Sequence, residues 1–534
     1  MKHLLYLSLA LFLASCSSEI DTKSIKSAER VFGLQFTDAE RDSMLLDVRE
    51  QRDLVYAMRA LAVTHDEAPA MIFNPLPSGF YPNQRQSAIR YSMDSAGARP
   101  ENLESLAFEP VSKLAERIRT RQITSVELTG MYIDRIKRLD PQLSAVITLL
   151  ETEALEKARQ ADAEIASGRY RGPLHGIPYG AKDLLAYPGH PTTWGTTPYK
   201  DQRIEQTATV ISKLDAAGAI LVAKTTLGAL AWGDVWFGGT TKNPWNLEQG
   251  SSGSSAGSTS TVSAGLLPFA IGSETWGSIV SPSTRTRITG LRPTFGRVSR
   301  HGAMPLSWSM DKLGPICRDA QDCAIIFDVI RGTDGYDRTV IDASFNFDAG
   351  RSLSTIRFGY VEAWFDENNQ YVLDAIRNQG IELVPVTFPD MNIEPLSIIL
   401  SAEAASAFED LTLSDRDDLM VRQVRNAWPN VFRAGRFISA VDYIQANRLR
   451  TRLIEQTHIA LANVDVVVVP SFAGDQLLLT NLTGHPAVVM PTETGSITFV
   501  GKLFDEATLI RASMVWQTAT SFHTQQPPLF SVNP

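Results

Sequence analysis

Apolar residues recur at two spacings along this chain, and the spacings separate helices from strands. Met44, Val48, Val55 and Met58 return at helical intervals behind Thr37-Asp38-Ala39-Glu40. That tetrad is a capping box, in which the hydroxyl and the carboxylate each satisfy a free backbone N–H of the first turn. The pattern predicts an amphipathic helix over residues 38–62. Thr124-Ser125-Val126-Glu127 opens another, with Leu128, Tyr132, Ile136 and Leu139 on one face. A third covers residues 153–167 and stops at Gly168. Ala219-Ile220-Leu221-Val222-Ala223 and Val466-Val467-Val468-Val469 are short unbroken apolar runs. Such runs suit strands buried on both faces. Helices alternating with them predict a layered α/β fold. Residues 64–105 are rich in Pro, Gly, Ser and Asn and predict a long irregular connector. Residues 350–460 read as mostly helical, and no internal repeat is visible.

The N-terminus follows a different rule and is set apart from the fold. Lys2 gives a basic start, and residues 4–13 form an apolar run too short for a stable membrane span. The run closes on Leu13-Ala14-Ser15-Cys16, which resembles a bacterial lipobox, cleaved before a cysteine that then carries lipid. The expectation is a signal peptide over residues 1–15 and lipid attachment at Cys16. A tether and helical extension follow over 16–107, and a catalytic domain over 108–530. The tether is expected to be polar and about twenty residues long, from Ser17 to the first amphipathic helix. Ser17 leans toward outer-membrane sorting, so the expected location is the envelope of a Gram-negative cell, at the outer membrane or facing the periplasm. An ordinary cleaved secretory signal, with Cys16 incidental, is the alternative. Cys317 reads as a strand end and Cys323 as one turn into the next helix. They could pair in an oxidising compartment, but two buried small residues is the plainer expectation.

Composition mainly excludes. At 534 residues the chain can bury a large core. Fifty basic residues stand against 59 acidic ones, a net charge of −9 with no Lys/Arg stripe, which argues against nucleic acid. The eight histidines are scattered, with no H-E-x-x-H and no Cys/His ligand spacing, so no metal is expected. No phosphate-binding glycine loop sits between a strand and a helix, and no cofactor is expected.

The chemistry sits in two small-residue segments and one lysine. Gly253-Ser254-Ser255-Ala256-Gly257-Ser258 is followed by Gly272-Ser273-Glu274-Thr275-Trp276-Gly277-Ser278-Ile279. Lys182 lies upstream, after the run Gly176-Ile177-Pro178-Tyr179-Gly180-Ala181, which reads as a buried strand end. A serine hydroxyl needs a base and a place for the developing oxyanion. Lysine ordinarily titrates near about 10.4, but burial disfavours the ammonium and can leave a neutral amine. The expected relay has Lys182 as base, Ser254 as proton shuttle and Ser278 as nucleophile. Backbone N–H groups of Thr275, Trp276, Gly277 and Ser278 can converge as an oxyanion hole.

These segments, in this order, resemble the amidase signature family, whose Ser–cis-Ser–Lys hydrolases cleave carboxamides. Gly172-Pro173-Leu174-His175 through Lys182-Asp183 is similar to its lysine segment. Asn243-Pro244-Trp245-Asn246-Leu247 is similar to the lead-in of its serine–glycine loop, and the stretch from Gly253 to Ser258 to the loop itself. Gly277-Ser278-Ile279 resembles the nucleophile turn, with Gly290-Leu291-Arg292-Pro293-Thr294 after it. Leu313-Gly314-Pro315 and Asn481-Leu482-Thr483-Gly484-His485-Pro486-Ala487 also fit. The likeness covers roughly residues 110–525, and the 24 residues from Ser254 to Ser278 match the family spacing. It implies a large mixed sheet flanked by helices on both faces, with residues 350–460 helping to shape the substrate entrance. It implies the same roles for Lys182, Ser254 and Ser278, and a small-molecule amide as substrate.

The sequence also departs from the family pattern. Trp276 stands where glycine is commonest, Glu274 for aspartate and Val280 for arginine. Ser252 and Ala256 replace glycines, and Thr286 and Arg287 occupy positions that are often Cys and Gly. No catalytic group is lost. Trp232, Trp236, Phe237, Trp276 and Trp308 near these segments hint at an apolar or aromatic acyl group, although the plainer expectation is that most of them belong to the core.

Competing readings are weaker. Gly253-Ser254-Ser255-Ala256-Gly257 satisfies the G-x-S-x-G elbow with Ser255 central, but residues 245–250 before it read as a polar loop, not the strand an elbow needs. Ser309-Met310-Asp311-Lys312 matches S-x-x-K without the partner motifs. His175 reads as a turn histidine bonded to backbone. A component of a tRNA-linked amidotransferase would share the chemistry, but the lipobox-like segment opposes a cytoplasmic role. A non-catalytic binding lipoprotein is opposed by the intact Lys182, Ser254 and Ser278. Oligomeric state is not legible.

Overall fold

The computed structural model describes residues 20–61, 63–92 and 95–532. The expected signal peptide over residues 1–15 and Cys16 lie outside the described residues. The chain divides into two units, one comprising residues up to Thr64 with Phe437–Ser439, the other His65–Arg436 with Ala440–Pro534.

The first unit corrects the plain tether. Thr22–Phe32 is a helix, capped by reciprocal Asp21 and Ser24 hydrogen bonds. Asp38–Arg59 is the amphipathic helix, opened by the Thr37–Glu40 box and ending before residue 62. Arg41 of the second helix pairs with Glu29 of the first at 2.6 Å. The tether reading failed because Lys, Ser and Glu dominate residues 17–30 by count, whereas the Asp21–Ser24 cap and the cross-helix ion pair decide the local structure.

In the second unit, eleven strands among the described residues form one mixed sheet. Their spatial order is Val146–Leu149, Ile220–Thr225, Pro178–Lys182, Phe269–Glu274, Lys312–Cys317, Thr289–Arg292, Ala487–Pro491, Ser496–Gly501, Val466–Pro470, Phe358–Tyr360 and Leu383–Pro385. Pro178–Lys182 runs parallel to both its neighbours, and Phe358–Tyr360 to both of its own. The other pairings are antiparallel. Every residue of Pro178–Lys182, Ile220–Thr225, Phe269–Glu274, Lys312–Cys317 and Ala487–Pro491 is buried, so both faces of the sheet are covered. The helix Ser125–Leu139 starts at the expected capping box, and Glu151–Ala166 lies within two residues of its expected bounds.

The parallel strands matter for the site. Lys182 pairs in register with Thr225, and Ala181 with Ile271, so these strands carry their C-terminal ends to one edge of the sheet. In open α/β sheets ligands bind beyond such ends. Close packing is enforced at Gly314, where an added Cβ would fall 2.0 Å from the Leu291 carbonyl oxygen. Among the described residues, the connector after His65 is irregular up to a short turn at Leu103–Phe108. It is held by Phe73 edge-on to Phe295 and by a bridge from Arg90 to Asp348. Cys317 and Cys323, expected as two unlinked small residues, are joined in a disulfide. Strand end and helix turn bring their Cα atoms to 6.1 Å, a separation that admits the bond.

Candidate active site

Lys182 ends its strand with no exposed surface. Its Nζ lies 2.7 Å from Ser254 Oγ, 2.8 Å from Ser273 Oγ and 3.2 Å from Ser255 Oγ. A neutral amine offers two N–H donors and one lone pair, which suits three hydroxyl neighbours. Burial pushes the Lys182 amine well below the ordinary lysine range, against the opposing pull of the Asp311 and Glu274 carboxylates. The adjacent buried lysine makes the contrast: Lys224 forms an ion pair with Asp183 at 2.6 Å, both fully buried. Asp183 also accepts from the Thr193 N–H and hydroxyl. Of these two lysines, only Lys182 has no carboxylate in contact.

Ser254 is brought to the amine by a loop that only small residues permit. The Gly253–Ser254 peptide is cis. A Cβ on Gly253 would stand 1.9 Å from the Gly233 carbonyl oxygen, and one on Gly257 would stand 2.2 Å from that of Ala145. Asp234 accepts the Ser252 N–H at 2.8 Å, and the Ser252 and Ser281 hydroxyls meet at 2.8 Å, tying this loop to the helix Val280–Thr286.

Ser278 meets the same loop through its backbone. Its carbonyl accepts the Ser255 N–H at 3.1 Å. Among the described residues no hydrogen bond joins the Ser254 and Ser278 hydroxyls, so the expected relay is continuous only from Lys182 to Ser254, and the Ser255 N–H ties the two segments together. Gly277 holds φ 85°, which lets the turn fold back, and Leu477 packs against it. Trp276 is 42% exposed. Thr275 donates its hydroxyl to Asp311 at 2.5 Å. Glu274 is fully buried and accepts the Ile279 and Val280 N–H groups with one oxygen, Arg292 and Asn481 with the other. Burial alone would raise its pKa, but the Arg292 guanidinium and these donors outweigh it and hold the carboxyl at about 2.

Sequence reasoning missed Ser255, Ser273, Glu274 and Asp311 as neighbours of the amine and the turn. Ser273 carries no local signal, because its contact depends on which strand lies beside Lys182. The rejected motifs resolve plainly. A strand, Asn246–Gly250, does precede the G-x-S-x-G segment, contrary to expectation. It belongs to a separate two-stranded ribbon, and Ser255 is fully buried against Ser273 and Lys182, so it is no exposed elbow. His175 accepts the Arg171 N–H in its turn, and burial lowers its pKa. Among the described residues no cluster of His, Cys, Asp and Glu could hold a metal ion.

A desolvated lysine joined to serines at the C-terminal edge of a large mixed sheet defines an amide-cleaving hydrolase class. The family profile described as Amidase matches residues 127–502, and the chain belongs to this family, the amidase signature enzymes. AmiD of Mycobacterium tuberculosis, named as an amidase, is 33% identical over 82% of this chain and all of its own length. A glutamyl-tRNA(Gln) amidotransferase component from Pseudomonas entomophila is 31% identical over 78% of this chain and 98% of its own. The solved peptide amidase of Stenotrophomonas maltophilia superposes with a TM-score of 0.70 at 27% identity, covering 80% of this chain and all of that one. The protein is an amide hydrolase acting on a small-molecule amide.

The titration of Lys182 leaves a thermodynamic trace independent of activity. Its folded pKa is depressed, so the unfolded chain binds a proton that the folded chain does not, from that lowered value up to about 10.4. Stability owed to this group therefore rises with pH through that window. Between about pH 7 and about pH 9, wild-type protein is expected to gain on Lys182→Met by up to about 1.4 kcal/mol per pH unit in chemical denaturation. A constant gap between the two proteins would mean that Lys182 is an ammonium.

Proposed function

We propose that hydrolysis proceeds through an acyl-enzyme on Ser278, with Lys182 as base and Ser254 as proton shuttle. Ser278 Oγ attacks the amide carbonyl while its proton passes to Ser254 and the Ser254 proton passes to Lys182. The N–H groups of Thr275, Trp276, Gly277 and Ser278 hold the oxyanion. Collapse of the tetrahedral intermediate breaks the C–N bond, and the relay returns a proton to the leaving nitrogen. Water then attacks the ester, releasing the acid and restoring the Ser278 hydroxyl. The observation that carries this reading is Lys182, buried without a contacting carboxylate and 2.7 Å from Ser254 Oγ. The Ser254–Ser278 bond is expected to close in the substrate complex, as catalytic hydrogen bonds tighten on binding.

Ser278→Ala is expected to abolish fluorophosphonate labelling and lower kcat for an aryl amide by about a thousandfold or more, with nearly unchanged thermal melting. Undiminished labelling of that variant would sink the assignment. Wild-type activity should rise with pH as Lys182 gives up its proton and fall below neutrality, since an ammonium accepts nothing from Ser254. A flat profile between about pH 5 and about pH 9 would contradict Lys182 as base.

The half-exposed Trp276 beside the nucleophile favours an amide with an apolar acyl group. Aryl and long-chain acyl amides are expected to give higher kcat/KM than acetamide, and the reverse order would exclude such a pocket.

We further propose that the protein is a lipoprotein anchored through Cys16 at the cell envelope, with its catalytic unit outside the cytoplasm. The Leu13-Ala14-Ser15-Cys16 segment supports this, as does the Cys317–Cys323 disulfide, which suits an oxidising compartment. The same two features weigh against a tRNA-dependent amidotransferase role. A lipid-modified cysteine with several acyl chains gains about 0.8 kcal/mol per buried CH₂ and stays bound. Cys16→Ser should block lipid labelling and signal-peptidase II processing while leaving hydrolysis intact. Wild-type protein recovered from cytoplasm with Met1 retained would overturn the location.

A further inference from the structure

The Ser309-Met310-Asp311-Lys312 segment is not a catalytic pair, yet it lies in a dense buried polar junction. At its centre is Glu403, in the helix Ile398–Ala407 and 6% exposed. One carboxylate oxygen accepts the Ser307 hydroxyl at 2.6 Å and the Ser309 N–H at 3.0 Å. The other accepts the Ser309 and Tyr443 hydroxyls, each at 2.7 Å. Tyr443 comes from the helix Ala440–Ala460, and burial together with the Glu403 carboxylate raises its pKa, so it remains a donor. Arg450 of the same helix donates to the Ser309 hydroxyl and carbonyl, each at 2.8 Å. Among the described residues no cation stands within ion-pair distance of Glu403. Its charge is met by these donors, three of them on residues 307–309, so the segment cannot shift without exposing a buried carboxylate.

The same segment is gripped from its other side. Asp311, half-buried, accepts the Leu306 and Ser307 N–H groups at 2.8 and 2.9 Å with one oxygen. With the other it accepts the Thr275 hydroxyl at 2.5 Å. Thr275 opens the turn that carries Ser278. The bonded path from the helices to that turn therefore runs Glu403, Ser307, Asp311, Thr275.

We infer that Glu403 is a positioning residue for amide hydrolysis, fixing the oxyanion turn through Ser307, Asp311 and Thr275 and so coupling the helices Ile398–Ala407 and Ala440–Ala460 to the catalytic rate. This rests on the reading of residues 275–278 as the oxyanion turn. Donors aimed at the oxyanion bind the transition state and not the substrate, so displacing them lowers kcat with little change in KM. A residue that only shaped the entrance would instead raise KM.

The test uses the full chain and an aryl amide, with kcat and KM measured separately. Glu403→Gln is expected to lower kcat about tenfold or more with KM within about twofold. Ser307→Ala should act in the same direction more mildly, and Ser307→Thr, which keeps the hydroxyl, should restore wild-type kcat. Thr275→Val cuts the last link. Because both changes act on one path, the double variant Glu403→Gln/Thr275→Val should lose no more than the worse single variant. If Glu403→Gln does not fold, the Ser307→Ala/Thr275→Val cycle makes the same comparison. Losses that multiply in the cycle, or a rise in KM with kcat intact, would overturn the inference. Full activity in Ser278→Ala would instead overturn the underlying reading of the turn.

Discussion

Removing one lysine amine from water without giving it a carboxylate in contact is the constraint around which the site is arranged. An ammonium in that place would be costly, and the group meets the cost by titrating low. Three serine hydroxyls replace the lost water. They come from two separate chain segments, so the amine also organises the loop at Ser254 and Ser255 against the strand Phe269–Glu274. One residue along, Asp183 shows the opposite solution. Its carboxylate keeps Lys224 paired, and that pair holds the strand ends together without competing for Ser254.

The departures from the family pattern acquire physical meaning in this setting. Glu274 is one methylene longer than aspartate and still reaches the two backbone N–H groups after Ser278, with Arg292 and Asn481 behind it. Ser252 and Arg287, at positions where glycine is common, both stand in the left-handed region, with φ 61° and 56°. A side chain there is disfavoured. Ser252 offsets part of that cost through its hydroxyl contact with Ser281, and the Arg287 guanidinium lies 4.9 Å over the Trp245 ring. Trp276 replaces glycine without loss of a backbone donor, and it stands half-exposed two residues before Ser278.

The site and the helices of residues 350–460 are parts of one polar network. Residues 306–311 are bonded to Thr275, at the head of the Ser278 turn, on one side and to two helices on the other. Amidases vary in what they accept while sharing one chemistry. A segment bonded both to the helices Ile398–Ala407 and Ala440–Ala460 and to Thr275 at the head of the Ser278 turn links the two through hydrogen bonds alone.

The sequence by itself determined the family and the alternation of helix and strand, and it singled out Lys182, Ser254 and Ser278. These are local: a capping box, an apolar run or a small-residue loop states its conformation within a few residues. The tertiary structure decided what neighbours each of them meets. Ser273 reaches Lys182 only because Phe269–Glu274 lies beside Pro178–Lys182 in parallel register. Cys317 and Cys323 meet because a strand end turns directly into a helix. The helix Thr22–Phe32 forms where composition alone suggested a tether. Glu403 stands 92 residues beyond Asp311 along the chain, yet both bond to Ser307. No spacing rule connects such pairs, because hydrogen bonds between distant segments depend on strand register and helix docking, which only the packed whole fixes.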